Sequence, residues 1–176
     1  LQRVVGQARA VQARVDGQAA ERRQQQGVAI GRRLGDVDDG DLLAAAGFEV
    51  VAAGKGTTYL PVYHESTPST VWPHYGFTPG EVAAGDFNAQ MFNSFLDGTK
   101  SAIEMTAVAN ATGLSAPSDG LLFPPCGVDD LAHALRPKSE GGVLEGKGKV
   151  EVISSLERDG RPVFRDLRWG VYVVFE

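Results

Sequence analysis

The apolar positions of this chain change their spacing along its length, and each spacing predicts a different element. "LLAAA", from Leu42 to Ala46, reads as the end of a helix with Gly47 as its stop. Phe48 to Ala52 reads as a buried strand running into a glycine loop, "GKGT". "STPSTVWPHYG" offers capping hydroxyls and an early Pro, so a short helix or turn falls around Ser69 to Tyr75. "TPGEVAAG" predicts another short helical turn. A long helix follows over about 88–112, stopped by Gly113. "PPCGVDDLAHAL" predicts a helix from Val128 to Leu135, and "KSEGGVLEGKGK" a second glycine loop. Lys149 to Leu156 reads as a strand, "RDGR" as a hairpin turn with Val163 to Asp166 pairing back, and "RWGVYVVFE" as a final strand. A bare apolar strand in that place predicts a chain that continues or an edge left open. The order of elements predicts an α+β fold: a mixed, largely antiparallel sheet with helices on one face and the long helix packed across it.

Within the long helix one stripe breaks the apolar pattern. Asn93, Asp97, Lys100 and Glu104 recur at i, i+4, i+7 and i+11. At 3.6 residues per turn they fall within about 60° of arc and form a column about 16 Å long. Lys100 has acidic neighbours three residues before and four after, so ion pairs are available. A solvated face with ordinary ion pairs is one reading. However, Met91, Phe92, Phe95, Leu96, Ile103, Met105 and Val108 cover most other directions, and a helix apolar nearly all round is buried. A polar column on a buried helix lines a pocket.

Composition separates residues 1–40 from the rest. They hold seven Arg, seven Gln and no aromatic residue; seven Arg against five acidic residues leave +2. Residues 41–176 carry ten basic and seventeen acidic residues, −7. The first segment offers little apolar burial against an ordering cost of ~1–2 kcal/mol per residue. It reads as a frayed helix, as disorder, or as the product of a shifted reading frame. The remaining length suits one domain. A net charge of −5 gives no reason to expect nucleic acid or an anionic membrane as partner. The single cysteine, Cys126, excludes an internal disulfide framework and fits a reducing compartment. No apolar run approaches a membrane span, and no signal-peptide pattern opens the chain, so a cytoplasmic location is expected.

Other candidates for chemistry are weaker. "AAGKGTTYLP" places Gly54, Lys55, Gly56 and Thr57 at the end of a buried strand, where ligands meet α/β sheets, although it matches neither phosphate-loop nor dinucleotide spacing. A tight turn with an exposed Lys55 is the plain alternative. His64 and His74 carry acid–base potential without metal-motif spacing, and structural or surface roles suit them better. Cys126 reads as a buried, inert thiol. Lys147 and Lys149 sit in a glycine loop that closes over an anion or is simply a hairpin.

Taken together, "GFEVVAAGKGT", "STPSTVWPHYGFTP", "FNAQMFNSFLDGTKSAIEMTAVANATGL", "LLFPPCGVDDL" and "GKVEVISSLERDGRPVFRDLRWGVYV" resemble the middle domain of the homoserine-dehydrogenase-like oxidoreductases that include the 1-deoxyxylulose 5-phosphate reductoisomerase-like (DRL) enzymes. The resemblance covers about residues 41–176 and spares 1–40. It implies a three-part enzyme: a Rossmann domain for NADPH or NADH, this catalytic domain, and a small SAF-type domain, the first and last absent from the chain. It implies a phosphorylated polyol or similar small carbonyl compound as substrate, with a divalent metal and a homodimer left open. Lys100 and Lys55 are then expected to bind anionic or carbonyl oxygens. Asn93 and Ser94, with the Gly54–Gly56–Thr57 segment, are expected to bind substrate, and Asp97 and Glu104 to tune Lys100 or move protons. Where the family pattern often carries Lys after "GKGT", this chain has Thr58. A non-catalytic remnant and a sugar-phosphate-binding or dimerisation domain without the cofactor half are the competing readings.

Overall fold

The computed structural model describes residues 27–31 and 47–176. Among them, four strands form one sheet in the order β1–β4–β2–β3. β1 is Gly27–Gly31, β2 Val50–Thr57, β3 Lys149–Ser154 and β4 Val171–Phe175. β4 pairs antiparallel with both β1 and β2, and β2 pairs parallel with β3. The fold is α+β with a mixed, largely antiparallel sheet. The helices are α1 (Trp72–Tyr75), α2 (Pro79–Ala84), α3 (Ala89–Leu96), α4 (Thr99–Thr112) and α5 (Leu131–Ala134). None is long and apolar enough to cross a membrane.

Strand alternation decides what each face meets. Register places Ala53, Lys55 and Thr57 beside Val150, Val152 and Ser154 on one face, and Gly54 beside Glu151 and Tyr172 on the other. On the first face Val150 and Val152 pack with Met105 and Val108 of α4. On the second, Ile153, Tyr172 and Val174 pack with Leu131, Leu135 and Leu144. Each such fully buried aliphatic contributes about 1.5–3 kcal/mol. The expected single layer of helices is therefore corrected: α4 covers one face and α5 the other. Both faces of the central strands are apolar, so both need a cover.

Four further expectations change. The helix expected over 88–112 is two helices. Asp97 ends α3, its Oδ1 accepts the Thr99 N–H at 2.8 Å, and Gly98 turns left-handed at φ +91° before α4 begins. A β-carbon on Gly98 would also stand 3.1 Å from Cε1 of His64. The "GKGT" loop does not exist: those residues complete β2. Glycine there serves close packing, because a β-carbon would lie 1.7 Å from the Glu151 carbonyl oxygen at Gly54 and 1.9 Å from that of Leu167 at Gly56. The final strand is not an open edge, since β4 lies inside the sheet between β1 and β2.

Finally, Gly27–Gly31, inside the segment read as frayed helix or disorder, is a strand whose Val28, Ala29 and Ile30 pair with Val174, Val173 and Tyr172. The Arg and Gln around it masked a short apolar run. The helix expected at 42–46 lies outside the described residues. The helix over 128–135 shortens to Leu131–Ala134, and the "RDGR" turn forms with the Glu157 N–H on the Arg161 carbonyl at 2.8 Å. The return strand at 163–166 does not form: the Val163 N–H donates to the Ser155 carbonyl at 3.0 Å, and Asp166 makes only an isolated bridge, to Gly127.

Candidate active site

Because Lys55 alternates onto the α4 face, its ammonium meets the helix there. It forms an ion pair with Oε2 of Glu104, while Lys100 Nζ lies 3.3 Å from the other oxygen of the same carboxylate. Lys100 and Glu104 stand four apart on α4, Lys100 two residues past the Gly98 break. The Lys55 and Glu104 side chains are largely shielded, at 15% and 23% exposure, and that of Lys100 is 44% exposed. Burial raises the Glu104 pKa, but hydrogen bonds and charge from Lys55 and then Lys100 outweigh it, so the carboxyl sits below its ordinary value. Phe95 carries the Lys100 ammonium over its ring at 4.9 Å.

These three groups wall a cavity of about 260 Å³. Gly56, Thr57, Phe95 and Ser101 line it too, as do Trp169, Gly170 and Val171. Five of the residues proposed from sequence thus come together: Lys55, Gly56, Thr57, Lys100 and Glu104. Gly54, Asn93, Ser94 and Asp97 lie outside the lining. Asn93 Nδ2 donates to Asp97 Oδ2 at 2.8 Å, and the Ser94 hydroxyl donates to the Met91 carbonyl at 2.8 Å. Asp97 closes α3 and its carboxylate takes the Thr99 N–H, so the upper half of the polar stripe builds the helix junction while the lower half faces the cavity. The bare amides expected from the glycine segment are engaged as well: the Gly56 N–H donates to the Gly170 carbonyl at 2.9 Å.

Other candidates lie away from the cavity. His64 Nδ1 meets the Asp97 carbonyl at 2.7 Å, and its ring stands edge-on to Tyr59 at 5.1 Å. His74 stands edge-on to Tyr63 at 5.2 Å. The Cys126 thiol is buried, and burial, then the Asp130 charge, push its pKa up to about 12, which makes it a poor nucleophile. Lys147 pairs with Glu176 and Glu49, and Lys149 with Glu145. Thr58 bonds the Ser155 hydroxyl at 3.2 Å. Among the described residues no group of three or more His, Cys, Asp or Glu could hold a metal ion.

Sequence reasoning missed Trp169, Gly170 and Ser101. "RWGVYVVFE" reads as one unbroken strand; the glycine inside it was the signal that the strand starts only at Val171 and that a turn precedes it. Ser101 is 2% exposed and looks like helix filling until the cavity is seen beside it.

The arrangement can do definite chemistry. Two ammonium groups sharing one carboxylate leave spare positive charge at the wall of a small cavity, which suits an anionic group or an oxygen that gains charge during reaction. Comparison with curated proteins finds no match. A family model described as "Oxidoreductase DRL, catalytic domain" matches residues 39–176, more than three quarters of the chain and every residue of the cavity. The chain belongs to the family of oxidoreductase DRL catalytic domains.

Proposed function

We propose that this chain is the substrate-binding and catalytic part of a nicotinamide-dependent oxidoreductase acting on a phosphorylated polyol or similar small carbonyl compound. The observation that carries the proposal is the convergence of Lys55 and Lys100 on Glu104 at the cavity wall. Lys55 is the more shielded lysine and holds the carboxylate. Lys100, half exposed and at 3.3 Å, is the one free to turn toward a ligand. When hydride reaches a carbonyl carbon, negative charge develops on the oxygen, and an ammonium within hydrogen-bond reach stabilises it and donates a proton. Glu104 then holds the Lys100 side chain in place and keeps its charge balanced. The buried hydroxyls of Thr57 and Ser101 suit contacts with substrate hydroxyls.

The nicotinamide, NADPH or NADH, supplies or accepts the hydride when bound. A cavity of about 260 Å³ suits a small substrate with the nicotinamide ring beside it; the sequence carries no glycine fingerprint for the rest of a dinucleotide. No step is assigned to a metal.

The test is hydride transfer with NADPH or NADH and a panel of phosphorylated carbonyl sugars, followed at the nicotinamide absorbance. Lys100→Ala is expected to lose well over tenfold in turnover; turnover close to that of the parent overturns the assignment. Saturable binding of a sugar phosphate with no hydride transfer points instead to a binding domain.

A further inference from the structure

We infer that Trp169 is a stacking platform for the nicotinamide ring at the mouth of the Lys55–Lys100 cavity. The inference rests on the nicotinamide-dependent reading above. Trp169 borders the cavity, yet 69% of its surface faces water. Its backbone is left-handed, at φ +65°, a conformation bulky residues avoid. Such strain persists only where the surroundings over-determine it. Here they do: the Gly170 N–H donates to the Leu167 carbonyl at 3.1 Å, and the Gly170 carbonyl takes the Gly56 N–H at 2.9 Å, which ties the turn to β2. The Arg168 N–H donates to Asp166 Oδ1 at 2.8 Å and fixes the turn from its other end. The turn spends backbone strain to hold a large indole in water, beside a cavity, where folding gains little from it.

Ligand chemistry supplies the reason. The charged end of the cavity, at Lys55 and Lys100, takes the oxygens of the substrate. Hydride passes directly from carbon to carbon, so the nicotinamide ring lies against the substrate, where the exposed Trp169 borders the cavity. Of the two aromatic rings in the lining, Phe95 already carries the Lys100 ammonium. Among the described residues, the indole of Trp169 stacks on no other ring and carries no cation. Indole offers a flat π face to the nicotinamide ring in either redox state, and the surplus positive charge of Lys55 and Lys100 offsets its preference for the cationic form.

Fluorescence tests this without any turnover. The chain has two Trp residues, and Trp72→Phe leaves Trp169 as the sole indole. Titration of that variant with the N-methylnicotinamide cation is expected to quench Trp169 saturably, with a charge-transfer absorbance shoulder. In the otherwise unchanged chain, Trp169→Phe should weaken binding several-fold and Trp169→Ala about tenfold, by equilibrium dialysis. Trp169 is exposed, so Trp169→Ala should keep the parent's circular dichroism spectrum. Quenching that stays linear in concentration, as for free indole, overturns the inference. The Lys55–Lys100 site is read separately with inorganic phosphate. Phosphate binding lost in Lys100→Ala but intact in Trp169→Ala supports that site alone. Saturable nicotinamide quenching in Lys100→Ala supports Trp169 alone.

Discussion

The Lys55 ammonium, on central strand β2, is paired with the Glu104 carboxylate, on helix α4, across forty-nine residues of sequence. The pair bridges sheet and helix at the cavity wall. Removing Glu104 alone leaves two lysines facing each other without their shared counter-ion. In Glu104→Gln the expected loss is about 1–2 kcal/mol, above the exposed-pair range and below that of a fully buried pair. Urea unfolding of Lys55→Met, Glu104→Gln and the double variant gives the coupling. Additive single effects would show that the pair contributes nothing.

Acid should weaken the fold partly through this carboxylate. Its pKa is lower in the folded chain than in the unfolded one. The stability it contributes is therefore complete above the ordinary carboxylate range, about 4.3, and is lost as pH falls through the folded value. Urea midpoints measured from pH 7 down to pH 3 should fall less steeply in Glu104→Gln than in the parent. Parallel curves would contradict the ion-paired state.

Gly54→Ala and Gly56→Ala should each prevent stable folding, because a β-carbon would meet backbone oxygens at 1.7 and 1.9 Å. The strands must separate to admit it, at a cost above the ~1–3 kcal/mol of ordinary overpacking. Soluble expression with native circular dichroism for either variant would refute the close approach.

Gly98→Ala should be milder and more local. It forces alanine to a left-handed φ and brings a methyl within 3.1 Å of the His64 ring, which costs about 1–2 kcal/mol. Because α4 begins at Thr99, the shift should also move Lys100 and Glu104, and phosphate affinity should fall with stability. Affinity unchanged despite lower stability would separate the junction from the site.

Glu151 offers a test far from any ligand. It is fully buried, and its carboxylate accepts backbone N–H groups from Val152 at 2.8 Å, Leu122 at 3.0 Å and Phe123 at 3.4 Å. Glu151→Ala leaves those donors unpaired and opens a cavity, so a loss of about 3 kcal/mol or more is expected in urea unfolding. A loss below about 1 kcal/mol would mean that the donors find other partners.

Local pattern revealed the sheet strands at 149–154 and 171–175, because alternating apolar residues and a turn such as "RDGR" act over a few residues. Helical spacing put Lys100 and Glu104 on one face, but the all-round burial it was read with is not there: Ile103 is 65% and Met91 47% exposed. Local pattern failed where distant residues decide. Gly54 and Gly56 look like a loop until Glu151 and Leu167 are seen against them. The 88–112 helix looks continuous until His64 is placed over Gly98. Lys55 could not be assigned to Glu104, since only strand register turns it toward α4. Trp169 carried no readable signal beyond the adjacent glycine.

The position of β4 has a consequence for how the molecule is made. β4 is the last strand in chain order but an inner one in space, holding β1 to β2 with partners more than a hundred residues upstream. Pairings so distant in sequence close late. On the ribosome the apolar faces of β1 and β2 stay without their central partner until Val171–Phe175 emerge. The sheet therefore cannot close until β4 has been made, and the edges of β1 and β2 that it covers stay open to wrong pairing until then.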